Sequence, residues 1–172
     1  MTTLPNDQCS KRLWREPSVW LASVGGLGFS PRAPGTVGSL PALLILWFSG
    51  ATGLETQWLM CGLLFLVGWW ASHRTGLLWQ ISDHPAIVID EVVGQWLTLL
   101  IALSLVPQVM PLEITLALGF GLFRLYDVLK PWPVSWADRQ LKGGWGVMID
   151  DVVAGLLAGA VLTIATLAWD PF

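Results

Sequence analysis

The sequence predicts an all-α protein, a bundle of four or five apolar helices that crosses a membrane several times. Hydrophobic residues make up 54% of the 172 residues and charged residues only 12%, whereas a soluble domain averages about 25% charged residues. Uncharged runs of about 18 residues recur, a length that can cross a bilayer. The twelve Trp and single Tyr suit a membrane interface, where indole rings anchor. A soluble helical protein with a large core is the weaker alternative.

The length predicts a single domain, residues 1–172. Residues 1–20 are polar and irregular, which predicts a tail or a surface helix without a signal peptide. Residues 22–39 hold five Gly and two Pro, a composition typical of a loop with unusual backbone angles. Thr36 and Ser39 are the candidate N-caps of the apolar helix that follows.

Five uncharged runs predict the membrane helices. They cover residues 33–54, 56–72, 92–112, 114–123 and 152–169. If all five cross, all nine Lys and Arg lie on one side, which the positive-inside rule places in the cytoplasm. The run 114–123 is short, and if it does not cross, four of the nine basic residues move to the other side. We therefore expect five passes with the charged segments on the cytoplasmic side.

Two similar acidic pairs open the third and the fifth run. VIDEVVG and MIDDVVA, 60 residues apart, hold Asp90-Glu91 and Asp150-Asp151. Acidic residues are mildly favourable near a helix N-terminus, so ordinary solvated acids are one interpretation. Two such pairs in a charge-poor chain favour a functional site instead. Gly94 and Ala154 follow one turn later, where small residues let two helices approach closely.

The segment 124–151 concentrates charge between two apolar runs, with four acidic and four basic residues. Arg124 and Lys130 flank Asp127 at i−3 and i+3, close enough to share one helical surface. Pro131 then stops that helix. Carboxylates at the mouth of an apolar helix cost free energy unless a positive charge lies against them. A divalent cation is the first candidate.

The acids that the topology places on the cytoplasmic side predict a metal site. Mg²⁺ prefers carboxylate oxygens and usually shares its site with substrate phosphates. The predicted ligands are Asp90, Glu91, Asp127, Asp150 and Asp151. His73 and His84 are isolated and are interpreted as interfacial residues, so no zinc cluster is expected.

Basic and Gly-rich residues on the same side predict a phosphate site. Gly-rich backbone ahead of a helix can cradle phosphate through free N–H groups. The predicted phosphate-binding residues are Arg32, Gly35, Thr36, Arg124 and Lys130. The alternative is a tight turn before a span, with basic residues that only determine topology. Phosphate together with Mg²⁺ explains both groups of residues at once.

Four motifs resemble one protein family in their order and spacing. SPRAPGTVGS, VIDEVVGQ, FRLYDVLKPWP and GGWGVMIDDVVAG are similar to the phosphatidylglycerophosphatase A family. The resemblance implies a bacterial inner-membrane enzyme of glycerophospholipid biosynthesis, which converts phosphatidylglycerophosphate to phosphatidylglycerol with Mg²⁺. It also implies that the site includes Gly35 and Thr36, the two acidic pairs, and Asp127, Lys130 and Pro131.

From these residues we expect Glu91, Asp127 and Asp150 to be catalytic. The nucleophile stays open between a water activated at the metal and the Asp127 carboxylate, which would form an aspartyl phosphate. Cys9 and Arg15 have the spacing of a cysteine phosphatase, but no glycine lies between them, so we interpret the match as chance.

Two other function classes fit parts of the sequence. A membrane cation transporter is the main alternative, because acids inside a membrane often mark ion paths. A lipid-binding scaffold is the third interpretation. Membrane lipid is an expected partner, and Gly155 and Gly159 leave a homo-oligomer open. The net charge of −3 argues against nucleic acid.

Overall fold

The computed structural model describes residues 16–48, 52–81, 83–107 and 109–169, which form seven α-helices and no strand. The helices are α1 (Pro17–Ala22), α2 (Pro34–Phe48), α3 (Leu54–Trp79), α4 (Ile89–Leu105), α5 (Leu112–Leu129), α6 (Val134–Gln140) and α7 (Gly143–Leu167). A 3-10 turn, Leu27–Phe29, lies between α1 and α2. The all-α prediction is confirmed. Cys9, Arg15 and most of the predicted tail lie outside the described residues.

The five long helices, α2 to α5 and α7, alternate in direction. The starts of α2, α4 and α7 and the end of α5 line one cavity, and the end of α3 packs against the start of α7. We call this end of the bundle the acidic end. At the opposite end, Trp58 Nε1 of α3 donates to Ser104 Oγ of α4 over 2.9 Å. The alternation brings the charged segments 73–91 and 124–151 together, as predicted.

Helix α4 lies at the centre of the bundle and packs closely against α7. A Cβ on Gly155 would lie 2.6 Å from the carbonyl oxygen of Gly94, and Ala154 is fully buried. Thr98 Oγ1 donates to the carbonyl oxygens of Gly94 and Gly155, over 2.9 and 3.3 Å. The predicted close approach of the two helices is therefore confirmed at Gly94. The residue of α7 that meets Gly94 is Gly155, whereas Ala154 packs in a cluster with Phe123 and Val134.

Gly155 and Gly159, which left a homo-oligomer open, pack against another helix of the same chain. A Cβ on Gly159 would lie 2.9 Å from Ile101 Cβ and 3.1 Å from the carbonyl oxygen of Thr98, both in α4. Since Gly155 also faces α4, this pair of glycines joins two helices of one protomer.

The outer surface of the bundle is strongly apolar. Large side chains such as Leu66, Val128 and Ile164 are more than half exposed, which suits contact with lipid. Among the described helices, α7 is the one that is long and apolar enough to cross a membrane by itself, and half of its apolar stretch is buried in the protein.

Helices α2, α4 and α5 are too short or carry too many charges to be candidate spans by themselves. Helices α2 and α4 have 15 and 17 residues, about 23 and 26 Å at 1.5 Å per residue, short of a hydrocarbon core of about 30 Å. Helix α5 includes the run 114–123 within 18 residues, but it also carries Glu113, Arg124 and Asp127. The structure therefore supports a helical bundle with one candidate span.

The predicted loop 22–39 is wrong in its second half, because α2 already begins at Pro34. Proline suits the first turn of a helix, since its φ is preset and it needs no N–H partner there. Thr36 and Ser39 consequently lie inside α2 and are not its N-caps. Ser39 Oγ instead donates to the carbonyl oxygen of Gly35 over 2.6 Å.

Candidate active site

A cavity of about 420 Å³ opens at the acidic end. Its wall combines the first turns of α2 and α4, the last turns of α5 and the early part of α7. The predicted site residues that line it are Gly35, Asp90, Glu91, Arg124, Asp127, Lys130, Asp150 and Asp151. The structure thus brings all five predicted metal ligands to one cavity.

Asp90, Glu91 and Asp151 form the tightest group of acids, which we call the acidic triad. One carboxylate oxygen from each lies within 4.8 Å of the others. Asp90 and Asp151 are buried, and Asp90 Oδ1 accepts a hydrogen bond from the backbone N–H of Glu91 at 3.1 Å. When ionised, three acids so close together in a buried place repel one another, so bound protons or a cation must offset their charge.

The unfavourable burial of negative charge in the acidic triad is clearest at Glu91. It lies in the first turn of α4, ahead of the apolar run, and its Oε2 has no hydrogen-bond partner among the described residues. Burial raises the pKa of Glu91 to about 8, and the negative charge of Asp151 adds to the effect. A buried oxygen without a partner beside two other carboxylates fits a divalent cation with oxygen ligands.

Asp150 and Asp151 do not open their helix, contrary to the prediction. Helix α7 begins at Gly143, so the pair lies two turns inside it. Gly144, ahead of the pair, packs directly against α3. A Cβ on Gly144 would lie 2.7 Å from the carbonyl oxygen of Trp69. Burial of the pair therefore comes from neighbouring helices and not from a helix end.

Arg124 brings a positive charge to the acidic triad. Its Nη1 lies 2.6 Å from Asp127 Oδ2, as the i, i+3 spacing predicts, and donates to Ser39 Oγ at 3.5 Å. A Cβ on Gly35 would collide with Glu91 Oε1 and would lie 3.1 Å from both terminal nitrogens of Arg124. Because position 35 is a glycine, α2 can approach Glu91 and Arg124 this closely.

Lys130 does not pair with Asp127, with which it was expected to share a helical surface. It ends α5 in a left-handed conformation, with φ 43°, and its Nζ donates to Asp150 Oδ2 at 2.7 Å and to Asp138 Oδ1. Burial alone would lower the pKa of Lys130, but the hydrogen bonds to Asp138 and Asp150 outweigh it and raise the pKa.

Asp138 is a site residue that the sequence analysis missed. It lies on α6, and its sequence distance of eight residues from Lys130, with prolines between them, gives no helical periodicity to connect the two. The sequence feature that could have indicated Asp138 is its position within the charge-rich segment 124–151. Asp83, which lines the cavity of about 420 Å³, was not predicted either.

Two predicted phosphate-binding residues lie away from the cavity wall. Arg32 is exposed, and its carbonyl oxygen accepts a hydrogen bond from Ser30 Oγ at 2.9 Å. Thr36 is half-buried within α2. The two histidines are also outside the wall: His73 is exposed, and the ring of His84 lies 4.6 Å from that of Trp79.

Fold and site together define an all-helical protein in which buried carboxylates and an arginine gather at one end of an apolar bundle. That combination suits a phosphorylated ligand held with a divalent cation. The family model for Phosphatidylglycerophosphatase A matches residues 20–166. The chain belongs to this family, as the four sequence motifs predicted.

Three relatives match over most of their length. The chain is 37% identical over 165 residues to Phosphatidylglycerophosphatase A of Escherichia coli (strain K12), covering 94% of this chain and 92% of the relative. It is 35% identical over 146 residues to Phosphatidylglycerophosphatase A of Haemophilus influenzae, covering 84% and 86%. A Putative phosphatidylinositol-3-phosphatase of Bacteroides thetaiotaomicron is 37% identical over 159 residues, covering 88% and 96%. No solved structure matches the chain.

Proposed function

We propose that this chain hydrolyses the terminal phosphomonoester of phosphatidylglycerophosphate to give phosphatidylglycerol and phosphate. Two of its relatives carry the name of this activity. The observation that supports it most is the acidic triad beside Arg124 in one cavity. A phosphomonoester carries close to two negative charges, so it needs both a cation and a fixed positive side chain there.

The proposed cofactor is Mg²⁺, held by Asp90, Glu91 and Asp151, with Asp127 and Asp150 as further ligands. The carboxylate oxygens and the unpartnered Glu91 Oε2 fit a hard cation with oxygen ligands. When bound, Mg²⁺ would supply positive charge to the phosphoryl oxygens as the transition state develops.

The side chains around the triad would then bind and orient the substrate. Arg124 would hold a phosphoryl oxygen through its guanidinium group, and Gly35 would leave room for the phosphate beside α2. In the reaction a water oxygen bonds to phosphorus while the bond from phosphorus to the glycerol oxygen breaks, and that oxygen gains a proton. We assign Asp127 to accept a proton from the water and to pass it to the glycerol oxygen. Attack by Asp127 itself is the alternative.

We also propose a multi-pass placement with the acidic end on the cytoplasmic side of the inner membrane. The apolar outer surface and the alternating long helices support this topology. Helices somewhat shorter than the hydrocarbon core are accommodated by local thinning of the bilayer. The substrate phosphate would then reach the cavity at headgroup level while its acyl chains stay in the lipid.

Labelling of single cysteines with an impermeant maleimide tests this topology. In a background with Cys9→Ser and Cys61→Ser, Arg139→Cys at the acidic end should be labelled only after the inner membrane is opened. Glu55→Cys at the opposite end should be labelled in spheroplasts. Labelling of both in intact spheroplasts would contradict the proposed orientation.

The rival function of a cation transporter expects carboxylates along a path through the bundle. Here the five acids line one cavity at one end, which favours the enzyme. Transport can be tested in proteoliposomes by measuring cation uptake. Uptake that depends on Asp151, without phosphate release, would favour the transporter.

Phosphate release in detergent tests the activity and its substrate. We expect release from phosphatidylglycerophosphate to exceed release from phosphatidylinositol 3-phosphate and from glycerol 3-phosphate. The second lipid is included because one relative is named as a putative phosphatase for it. A preference for that lipid would replace the proposed substrate, and no release from any lipid by folded protein would contradict the activity.

A further inference from the structure

We infer that Asp138 is a positioning residue, which draws Lys130 partly away from Asp150 and so keeps Asp150 available to a divalent cation. This inference rests on the proposed function, because it concerns the same site. It comes from the arrangement of three charged groups at the edge of the cavity, one of which the sequence motifs do not indicate.

Lys130 Nζ lies between two carboxylates. It donates to Asp150 Oδ2 at 2.7 Å and to Asp138 Oδ1. The side chain of Asp150 is 9% exposed, that of Lys130 31% and that of Asp138 36%. The three charges therefore form a row from the buried cavity wall to the solvent, with the lysine in the middle. Asp150 Oδ1 has no hydrogen-bond partner among the described residues, so this oxygen is left for another ligand.

Asp138 is held in place by the packing of α6. Val134 and Ala137 of this short helix are fully buried, and Val134 packs in one cluster with Phe123 and Ala154. Because Asp138 directly follows Ala137, its carboxylate is presented from a fixed backbone and not from a free loop.

Asp138 lines a cavity different from the one that holds the acidic triad. A second cavity of about 150 Å³ lies beside the first, and Asp138 lines it together with Asp83, Lys142 and Asp150. Asp83 and Asp150 line both cavities. Asp138 lines only the second cavity, whereas the acidic triad and Lys130 line only the first.

The charges explain what Asp138 does. Lys130 and Asp150 alone sum to zero, and a cation approaching Asp150 would be repelled by the ammonium group 2.7 Å from its oxygen. With Asp138 the row carries one net negative charge, and the lysine shares its hydrogen bonds between two acceptors. Removal of the Asp138 charge should leave Lys130 wholly against Asp150 and weaken cation binding there.

The test measures the thermal midpoint of detergent-purified protein at increasing MgCl₂ concentrations. Unfolding is monitored by intrinsic tryptophan fluorescence. We expect Asp138→Asn to raise the half-saturating Mg²⁺ concentration at least about threefold. This factor corresponds to the free energy of a partly exposed ion pair. Asp138→Glu keeps the charge and should stay close to wild type. Arg139→Gln removes an exposed charge from the next position of the same helix and should also leave the titration unchanged.

A double variant identifies Lys130 as the residue through which Asp138 acts. Asp138→Asn combined with Lys130→Met restores the net charge of the row, so its half-saturating Mg²⁺ concentration should return to the wild-type value. An unchanged titration in Asp138→Asn would overturn the inference. So would a defect that persists in the double variant, or a wild type without any Mg²⁺ response. Failure of phosphate release alone would contradict only the proposed activity, since the titration needs no turnover.

Discussion

Gly94 of α4 lies directly against the backbone of Asp151 in α7. A Cβ on Gly94 would lie 2.7 Å from the carbonyl oxygen of Asp151 and 2.5 Å from the ring of Phe123. This contact sets the separation of the two helices that carry the acidic triad, because Asp90 and Glu91 belong to α4 and Asp151 to α7. The spacing of the carboxylates thus depends on a residue without a side chain.

The substitution Gly94→Ala should therefore damage the site as well as the packing. Insertion of a methyl group into a close-packed contact costs about 1–3 kcal/mol. The displaced carboxylates should lower phosphate release on the order of tenfold to a hundredfold. Gly121→Ala on α5 is the matched control, because nothing lies within 4 Å of its added Cβ. Equal activity and equal thermal midpoints in the two variants would refute the role of this contact.

Arg124→Gln should lower kcat/KM by about a hundredfold, the effect of removing one charge-stabilising donor. The variant would also leave Asp127 without its ion pair. Arg124→Lys keeps the charge but not the paired donors, so only part of the activity should return. Arg74→Gln, at an exposed position on α3, is the control. Steady-state kinetics that do not distinguish Arg124→Gln from this control would exclude Arg124 from the site.

The raised pKa of Glu91 predicts how stability depends on pH without metal. Folded protein holds the Glu91 proton up to about pH 8, whereas the unfolded chain releases it near pH 4.3. The folded state therefore binds more protons across this window, and the free energy of unfolding falls as the pH rises through it. The thermal midpoint in EDTA should be lower at pH 8 than at pH 6.

Mg²⁺ should reverse this loss, because it takes the place of the proton. The Mg²⁺-induced rise of the thermal midpoint is expected to be larger at pH 8 than at pH 6. Glu91→Gln carries no titrating group at this position and should show a smaller difference between the two pH values. A Mg²⁺ effect that is independent of pH in the wild type would speak against Glu91 as a ligand.

Asp127 can be tested as base or nucleophile with phosphatidylglycerophosphate labelled in its terminal phosphate. If water attacks directly, wild-type protein quenched in acid during turnover should carry no label. Asp127→Asn should lose turnover in either case. Label bound to the wild type and absent from Asp127→Asn would instead establish an aspartyl phosphate.

The two acidic pairs of the site were predictable from the sequence because charge is rare in this chain. Asp90-Glu91 and Asp150-Asp151 stand out against apolar neighbours, and burying them is costly without a partner. Gly94 was predictable for a similar reason, since a small residue one turn after an acidic pair indicates helix contact. The alternation of apolar runs then placed these residues at one end of the bundle.

Other features depend on tertiary contacts that leave no local pattern. Helix α7 begins early, at Gly143, and its Gly144 packs directly against α3. Lys130 turns away from Asp127 because the backbone leaves the helix at this residue, and only the placement of α6 brings Asp138 to it. Arg32 was predicted from its place in the Gly-rich stretch and Thr36 from its place in a family motif. Arg32 is exposed ahead of α2 and Thr36 lies within α2, so neither lines the cavity wall.

The most direct test of the acidic triad as a metal site for hydrolysis is phosphate release from phosphatidylglycerophosphate by wild type and Asp151→Asn, with Mg²⁺ and with excess EDTA. Asp151 is buried in the triad, so we expect release by the wild type with Mg²⁺ and none in EDTA. Asp151→Asn, with its folding verified by its thermal midpoint, should be inactive in both. Undiminished release in EDTA, or by Asp151→Asn, would contradict a metal site at the triad.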